Sequence, residues 1–512
     1  MKRKQILALL LAMLLVLTCL SGCGSSKTAE TPSEEPAASE GKTRPTTTGK
    51  ADNSFTGALV DQPVTFDPQY FSKQAEDTII VQLYDPLFYI LNDGSIGTVL
   101  LESYTENEDG SVDFVLKSDV KFHSGDTLTA EDVEYTLSRC GNSSLCSPLY
   151  GTIAMTITDD THFTWEFPAA DQGAGFHELA PYIQAMCIVN KSYCETVISS
   201  PTDDLGFNVD GTGAYQLDSI ESNGDVTLKR FEDYFGEASI DTLNFKYVSG
   251  SLEMAFEAAD LDYTTYTASN YELIKEYANV YAYAQPLNNV VFLTLNCSEG
   301  AATSDIRVRE AVARCLNRDD ICSVGSNDAG TVAYNLATPL VTYYADVADH
   351  FDQNLETANS LMAEAGYSES SKAELTLICM SACEVMKEEL EQSYFTVKIE
   401  EVSDTSRYFI ADFDLAMISI GLTTQFNSYS MLFDTSTGMN LAAYPDTDVL
   451  EVFGTITDEA SAQNAMKVAT EPLAYIPLFY PTTFIAFDGD LNVGEFYNSV
   501  STFLFREFSW KS

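Results

Sequence analysis

The chain opens on three basic residues, Lys2, Arg3 and Lys4, followed by an apolar run over 6–17. The run is shorter than the roughly 20 apolar residues of a permanent membrane span. Its basic start and apolar middle have the form of an export signal. Residues 24–53 then carry almost no large apolar side chain. Such a segment cannot bury enough surface to fold, so a tether over 23–54 is expected, with the folded part starting at Phe55. Two periodicities alternate beyond it. In "SVDFVLKSDVKF" (111–122), Val112, Phe114 and Leu116 fall on one side of a period of two, predicting a half-buried strand. In "TAEDVEYTL" (129–137), Thr129 precedes Asp132 in a capping-box pattern, and Val133 and Leu137 share a helical face. A helix is therefore expected from about Ala130. The intervening "HSGD" (123–126) reads as a turn, with Gly125 free to take a positive φ.

The same patterns recur in the second half. In "SDIRVREAVARCLNRDDI" (304–321), Val308, Ala311, Val312, Cys315 and Leu316 form one apolar stripe, with Arg307, Arg309, Glu310 and Arg314 placed on the other face. In "NLETANSLMAEAGY" (354–367), Leu355, Ala358, Leu361, Met362 and Ala365 do likewise, and Gly366 closes the helix. Strand patterns at 373–380 and 395–402 alternate with these helices, which predicts α/β lobes. A length of 512 residues suggests about three domains of ~150 residues.

Formal charge is −49. That excludes nucleic acid as a partner, since phosphates demand a basic surface. It also disfavours an anionic ligand held by general attraction, and it fits solubility and self-repulsion. Only four histidines are present: His123, His162, His177 and His350. Asp126 beside His123 suggests a catalytic pair, but the stretch has no second histidine for a metal and is read as structural. No G-x-S-x-G, H-E-x-x-H or G-x-x-x-x-G-K motif occurs. General-base chemistry would have to rest on carboxylates. No enzyme, no cofactor and no metal are expected. Once Cys19 and Cys23 are set aside, an odd number of cysteines remains, none in C-x-x-C spacing, which argues against zinc. An export compartment permits disulfides. Cys140 with Cys146, and Cys187 with Cys194, are near enough in sequence to pair, and buried free thiols remain equally open.

The segment "LSGC" (20–23) resembles a bacterial lipobox, which implies cleavage before Cys23 and lipidation of its sulfur. More than one acyl chain would give a stable anchor on the outer face of the cell membrane. "VKFHSGDTLTAEDVEYTL" (120–137) resembles the signature block of the family 5 extracellular solute-binding proteins, which include oligopeptide, dipeptide and nickel carriers of ABC importers. "TFDPQ" (65–69) is similar to that family's opening strand and "VQLYDPLFYI" (81–90) to its first helix. "GTGAYQL" (211–217) carries Ala214 where the family has Pro, and "LKRFEDYFG" (228–236) matches a block ending Tyr-Trp-Gly. Residues 292–321, 356–367 and "YIPLFY" (475–480) complete the set.

The resemblance implies an α/β periplasmic-binding-protein type II fold, two lobes with a hinge and an extra inserted subdomain. Lobe one would take 55–90, 206–290 and 480–512, with the insertion at 91–205; lobe two would take 291–479. It further implies a monomeric substrate-binding lipoprotein that captures a small peptide or peptide-like ligand and delivers it to an ABC permease and ATPase complex. A lipid-anchored sensor or adhesin on the same fold is the alternative. By alignment the ligand-binding residues would be Thr265, Tyr266, Phe292, Ile420, Gly421, Thr423 and Phe426. Where peptide-binding relatives pair an Asp with the peptide's amino terminus, "FDLAMISIGLTTQFNSY" (413–429) places Thr423. A hydroxyl cannot neutralise a buried ammonium, and a buried unpaired charge is costly. That leaves a modified or cyclic peptide, a non-peptide solute, or a substitute carboxylate such as Asp412 or Asp434.

Overall fold

The computed structural model describes residues 42–512, except 92–94, 144, 147, 168–175, 181–182, 185, 267, 342–343, 345–351, 380, 402–407, 409–411, 422–428, 431, 435–439, 445–446, 457 and 495–503. Its chain forms two units. One holds 42–265, Leu273–Tyr283 and Ile485–Ser512; the other holds Tyr266–Glu272 and Ala284–Phe484. The passages at Tyr283/Ala284 and Phe484/Ile485 differ from the expected 290/291 and 479/480. Each lies inside an unbroken strand, Val280–Pro286 or Tyr475–Asp488, so no break in pattern marks it.

In the first unit, Ser54–Leu59 pairs in parallel with Thr242–Tyr247, which continues antiparallel through Val226–Arg230 to Tyr215–Ile220. Phe55, Leu243, Phe245 and Phe505 are among the side chains that fill the core behind it. A second core belongs to the segment expected as an insertion. There Leu101–Glu106, Val112–Leu116, His162–Glu166 and Ala154–Ile157 form an antiparallel sheet whose Phe114 and Trp165 pack with Val133 and Leu137. The helix carrying those last two spans Ala130–Asn142 and has the expected Thr129/Asp132 capping box. Val112, Phe114 and Leu116 are buried on the expected face, and Gly125 takes φ +95°. His123 sets Nε2 3.0 Å from the Gly213 carbonyl oxygen, and burial pushes its imidazole down to about 4. It is a neutral structural group.

Three expectations fail in this unit. Folded structure begins before Phe55: Gly49–Asp52 is a helical turn, Ser54 opens a strand, and Arg44 is buried. The tether composition misleads because a few residues, Arg44 above all, dock onto a core built by distant segments. "TFDPQ" forms a turn rather than a strand. Asp67 N donates to Thr65 Oγ1 at 3.0 Å and Gln69 N to Asp67 Oδ1 at 2.9 Å, so side chains take the bonds a ladder would need. "VQLYDPLFYI" is only partly helical. The helix is Gln74–Leu83, Tyr84 is already extended, and Phe88–Ile90 is a strand. Pro86 disfavours helical backbone in the residue before it.

The glycines of "GTGAYQL" have a steric reason. A Cβ at Gly211 would fall 2.1 Å from the Leu83 carbonyl oxygen, and one at Gly213 2.4 Å from that of Gln82. Side chains there would push this segment off the helix end. Thr212 Oγ1 donates at 3.4 Å to Asp85, whose other oxygen accepts from Arg506 Nη1 at 2.7 Å.

In the second unit, Asn289–Leu295 pairs antiparallel with both Tyr475–Asp488 and Leu415–Gly421. Leu415–Gly421 then runs parallel to Ala373–Cys379, and that strand to Phe395–Glu401. One sheet face, with Val291, Leu293, Leu415 and Met417, meets Val308, Val312, Ala358 and Met362 of the two expected helices. These span Ile306–Cys315 and Leu355–Glu364, and Gly366 takes φ +96° just past the second. Arg309 departs from its expected exposed face. It is buried, donating from Nε to Pro472 O at 2.7 Å and from Nη1 to Thr303 O and Ser304 O at 2.8 and 2.9 Å. Three carbonyls replace the water its guanidinium gives up. The disulfide is likewise elsewhere than at the spacings considered. Cys379 ends a strand and Cys383 opens the helix Cys383–Leu390, with Cα atoms 5.9 Å apart, inside the range a disulfide spans. Cys140, Cys146, Cys187 and Cys194 are free thiols. Among the described residues no helix is long and apolar enough to cross a membrane.

Candidate ligand-binding site

Thr265 and Tyr266 close the strand Tyr263–Tyr266, whose burial alternates at its end: Thr264 buried, Thr265 exposed, Tyr266 buried. They also flank a passage of the chain, Thr265 ending a segment of the first unit and Tyr266 beginning one of the second. Shortly after, Tyr271 sets its ring 4.5 Å from that of Phe484, an aromatic pair within the second unit.

The antiparallel pairing of 289–295 with 415–421 gathers three further expected residues. Ile420 stands opposite Val290, Gly421 opposite Asn289, and Phe292 two positions along from Val290. Side chains of directly paired residues point the same way, and alternate residues share a face. Phe292 and Ile420 therefore share the sheet face opposite the Val291–Leu293 core, and Gly421 belongs to the other. Phe292 is 1% exposed, with its ring edge-on to Tyr475 at 5.3 Å. Tyr475 OH donates to Leu432 O at 2.5 Å, and its ring also meets Phe433 at 5.4 Å. On this second face Tyr475 therefore meets Leu432 and Phe433. At Gly421 a Cβ would come within 2.7 Å of Asn289 Oδ1, so glycine leaves that amide its room. Thr423 and Phe426 lie outside the described residues, as does Cys23. Asp412 is exposed and Asp434 half-buried.

A polar cluster that the sequence reading missed lies in the second unit. Thr338 Oγ1 donates to Asn288 Oδ1 at 2.5 Å, and Thr338 N donates to Tyr429 OH at 3.4 Å. Tyr480 OH donates to Asn335 O at 3.0 Å and accepts from Asn335 N at 3.1 Å, with Tyr344 OH 3.3 Å away. Asn335 and Thr338 are fully buried, and Asn288, Tyr429 and Tyr480 nearly so. Burial raises both Tyr429 and Tyr480 above the ordinary phenol range, so each stays a neutral donor and acceptor. Tyr480 could have been flagged, since it ends "YIPLFY". Asn288, Asn335 and Thr338 carry no spacing that would single them out.

Chemically the arrangement offers apolar rings, amides and neutral hydroxyls. Among the described residues no group of histidine, cysteine or carboxylate side chains could hold a metal. Two hollows in the second unit, of about 470 and 440 Å³, involve other residues: one around Asn317, Asp320 and Glu389, the other around Asp305, Tyr367 and Lys372. None of the expected ligand-binding residues lines either.

The family model described as bacterial extracellular solute-binding proteins, family 5 Middle, matches residues 96–440. The oligopeptide-binding protein AppA of Bacillus subtilis (strain 168) is 24% identical over 383 residues, covering 72% of this chain and 68% of that protein. The dipeptide-binding protein of Escherichia coli (strain K12) is 25% identical over 347 residues, covering 59% of this chain and 62% of its own length. The structure of AppA from Bacillus subtilis in complex with a nonapeptide superposes with a TM-score of 0.72 at 20% identity, over 90% of this chain and 99% of that one. That likeness gives the two-lobed α/β fold of periplasmic binding proteins of type II.

Proposed function

This chain belongs to the bacterial extracellular solute-binding proteins of family 5, and from that premise we propose that it is the lipid-anchored capture subunit of an ABC importer for peptides or peptide-like solutes. The match over 96–440 carries the reading, and the names of the relatives, oligopeptide- and dipeptide-binding, supply the solute class. Its role is binding rather than catalysis. A solute that binds a closed form better than an open one shifts the population toward closure by that difference in affinity and no more. The permease then reads the closed, loaded form. No bond in the solute is made or broken, which agrees with a site of rings, amides and neutral phenols.

Thr423 bears on which peptides are taken. With a hydroxyl where relatives place a carboxylate, a free α-ammonium lacks its counter-charge, so peptides with a blocked or cyclised amino terminus are favoured. Native mass spectrometry of freshly purified protein is expected to show an added mass that denaturation removes. Thermal shift is expected to be small with free dipeptides and tripeptides and larger with amino-blocked ones. Absence of any added mass, with no shift from either set, sinks the capture reading; a shift of many degrees from free-amine peptides sinks only the argument about Thr423. The anchor is tested separately. Cys23→Ala should move the protein from the membrane fraction into the medium or periplasm, and unchanged fractionation contradicts lipidation at Cys23.

A further inference from the structure

Residues 42–53 lie on the first unit as a strap whose partners are far away in sequence. Lys42 bridges to Tyr277, and Ala278 N donates to Lys42 O at 2.8 Å. Arg44 N donates to Asn279 Oδ1 and Asn279 Nδ2 to Arg44 O, each at 2.9 Å. A Cβ at Gly49 would fall 2.7 Å from the Trp510 ring and 3.0 Å from Asp262 Oδ2, so the strap lies close over both. Within it only Arg44, Thr47 and Gly49 are buried, none of them a large apolar residue. A segment held by polar bonds, with little apolar burial, opens at lower cost than the core beneath it. Beneath the strap one cation faces two buried carboxylates. Arg44 Nη2 meets Asp488 Oδ2 at 2.7 Å, and Asp488 Oδ1 accepts from Asp490 N at 2.9 Å. Asp262 is 1% exposed. Its Oδ2 accepts from Thr56 N at 2.7 Å, while its Oδ1 is buried with no hydrogen-bond partner among the described residues. The strap's other charges stay at the surface: Lys42 pairs with Glu276 at 3.0 Å, Lys50 with Asp490 at 3.5 Å, and Asp52 is exposed. The buried group is balanced when one carboxylate carries a proton, and Asp262, with an oxygen that no donor serves, is the one placed to take it.

We propose that residues 42–53 are a proton-coupled strap, closed over Asp262 more firmly in mildly acidic than in neutral surroundings. Closing takes up a proton on Asp262, and opening returns it to water. Burial pushes the Asp262 carboxyl up to about 6 and Asp488 adds to the rise, while the Thr56 N–H, Thr47 and Arg44 draw it down. Once the strap lifts, that carboxyl meets water and returns toward its ordinary range. A carboxyl that holds its proton more tightly in the closed form stabilises that form at low pH. The contribution is lost as pH rises through the closed-form value. The ratio of closed to open strap is therefore about tenfold higher at pH 5 than at pH 7.5. Lifting frees residues 42–53 from the body, so the body's reach from the chain that precedes it grows as the surroundings turn neutral.

Hydrogen exchange of the full chain, read by mass spectrometry at pH 5 and pH 7.5, tests this, with each rate divided by the intrinsic rate at that pH. Protection over 42–53 is expected to be about tenfold lower at pH 7.5. Ala278, which donates to Lys42 O, should follow it, while Val112–Leu116 in the separate core stays unchanged. In Asp262→Asn, whose amide carries no charge, protection over 42–53 should agree at the two pH values to within about twofold. Equal protection of 42–53 at both pH values in the unaltered chain, or a change of opposite sign, overturns the proposal. So does an equal change over Val112–Leu116, which would mean that the whole unit loosens, or a tenfold change that persists in Asp262→Asn. Should that variant not fold, the profile of the unaltered chain decides. Protection that is level above about pH 7 and climbs below about pH 6 is the signature of Asp262. A climb confined below about pH 4, where ordinary carboxylates titrate, overturns the assignment.

Discussion

Arg44→Ala is expected to lower the stability of the first unit by about 3–5 kcal/mol, the range for leaving a buried charge without its partner. Arg44 Nη2 lies 2.7 Å from Asp488 Oδ2, and neither side chain has appreciable exposure. Nη1 donates to Phe256 O at 2.5 Å and Leu261 O at 2.9 Å, and the guanidinium stands 3.8 Å over the Phe256 ring. A second carboxylate, Asp262, lies close by. Burial pushes it up to about 6, and it holds Thr56 N at 2.7 Å. Removing the guanidinium therefore leaves two buried carboxylates and two carbonyls with one cation fewer. For a unit of this size the loss corresponds to a fall in melting temperature on the order of 10 °C. Differential scanning calorimetry of Arg44→Ala beside the parent decides it. A midpoint within a degree or two of the parent's would mean that the segment before Ser54 is merely adsorbed, as its composition alone suggests.

That contrast marks where sequence reasoning succeeds and where it stops. The helix beginning at Ala130, the strand through Phe114 and the closing Gly366 were legible because each is specified by residues within one or two turns of itself. Arg44 was not legible, nor was the burial of Arg309. Arg44 is buried by two carbonyls and a carboxylate from segments hundreds of residues away, and Arg309 by the distant Pro472 carbonyl together with two carbonyls of the turn before its own helix; no helical or strand period registers either. The disulfide shows the same limit from the other side. Cys379 and Cys383 look unremarkable by spacing until a strand end and a helix start bring their Cα atoms to bonding distance. The site was legible only through resemblance. Aligned positions pointed to Phe292, Ile420 and Gly421, which do stand on adjacent strands, but alignment cannot tell a ring that meets solute from one that, like Phe292, packs on Tyr475. Asn288, Asn335 and Thr338 lie on loops beside the strand residue Tyr480, and those three follow no pattern to read.

Two of the segments that resemble the family are joined by a buried ion pair, and that pair gives the second large expected effect. Arg139 comes from the signature helix and Asp67 from "TFDPQ"; their side chains are fully buried and in direct contact. Arg139 also donates from Nε to Gln69 Oε1 at 3.1 Å and from Nη1 to Pro201 O at 2.7 Å. Asp67 Oδ2 accepts from Leu205 N at 2.8 Å. Three stretches of chain are thus held at one point. Burial pushes the Asp67 carboxyl up while the guanidinium pulls it down. Arg139→Met keeps the apolar bulk and removes the pull, so the folded-state carboxyl rises further above its unfolded value. A carboxyl raised in this way destabilises the folded state at pH above its folded value, where ionisation is forced. The deficit fades as pH falls and the proton is taken up. Arg139→Met is therefore expected to cost about 3–5 kcal/mol at neutral to mildly alkaline pH and distinctly less near pH 5. The double variant Asp67→Asn with Arg139→Met should recover part of the loss, because a neutral amide can keep the Leu205 bond without a buried charge. Urea unfolding of the three proteins at two pH values measures this. Equal deficits at both pH values, or a double variant no better than Arg139→Met, would show that Arg139 acts through its carbonyl bonds alone and that the charge on Asp67 is not what ties the blocks together.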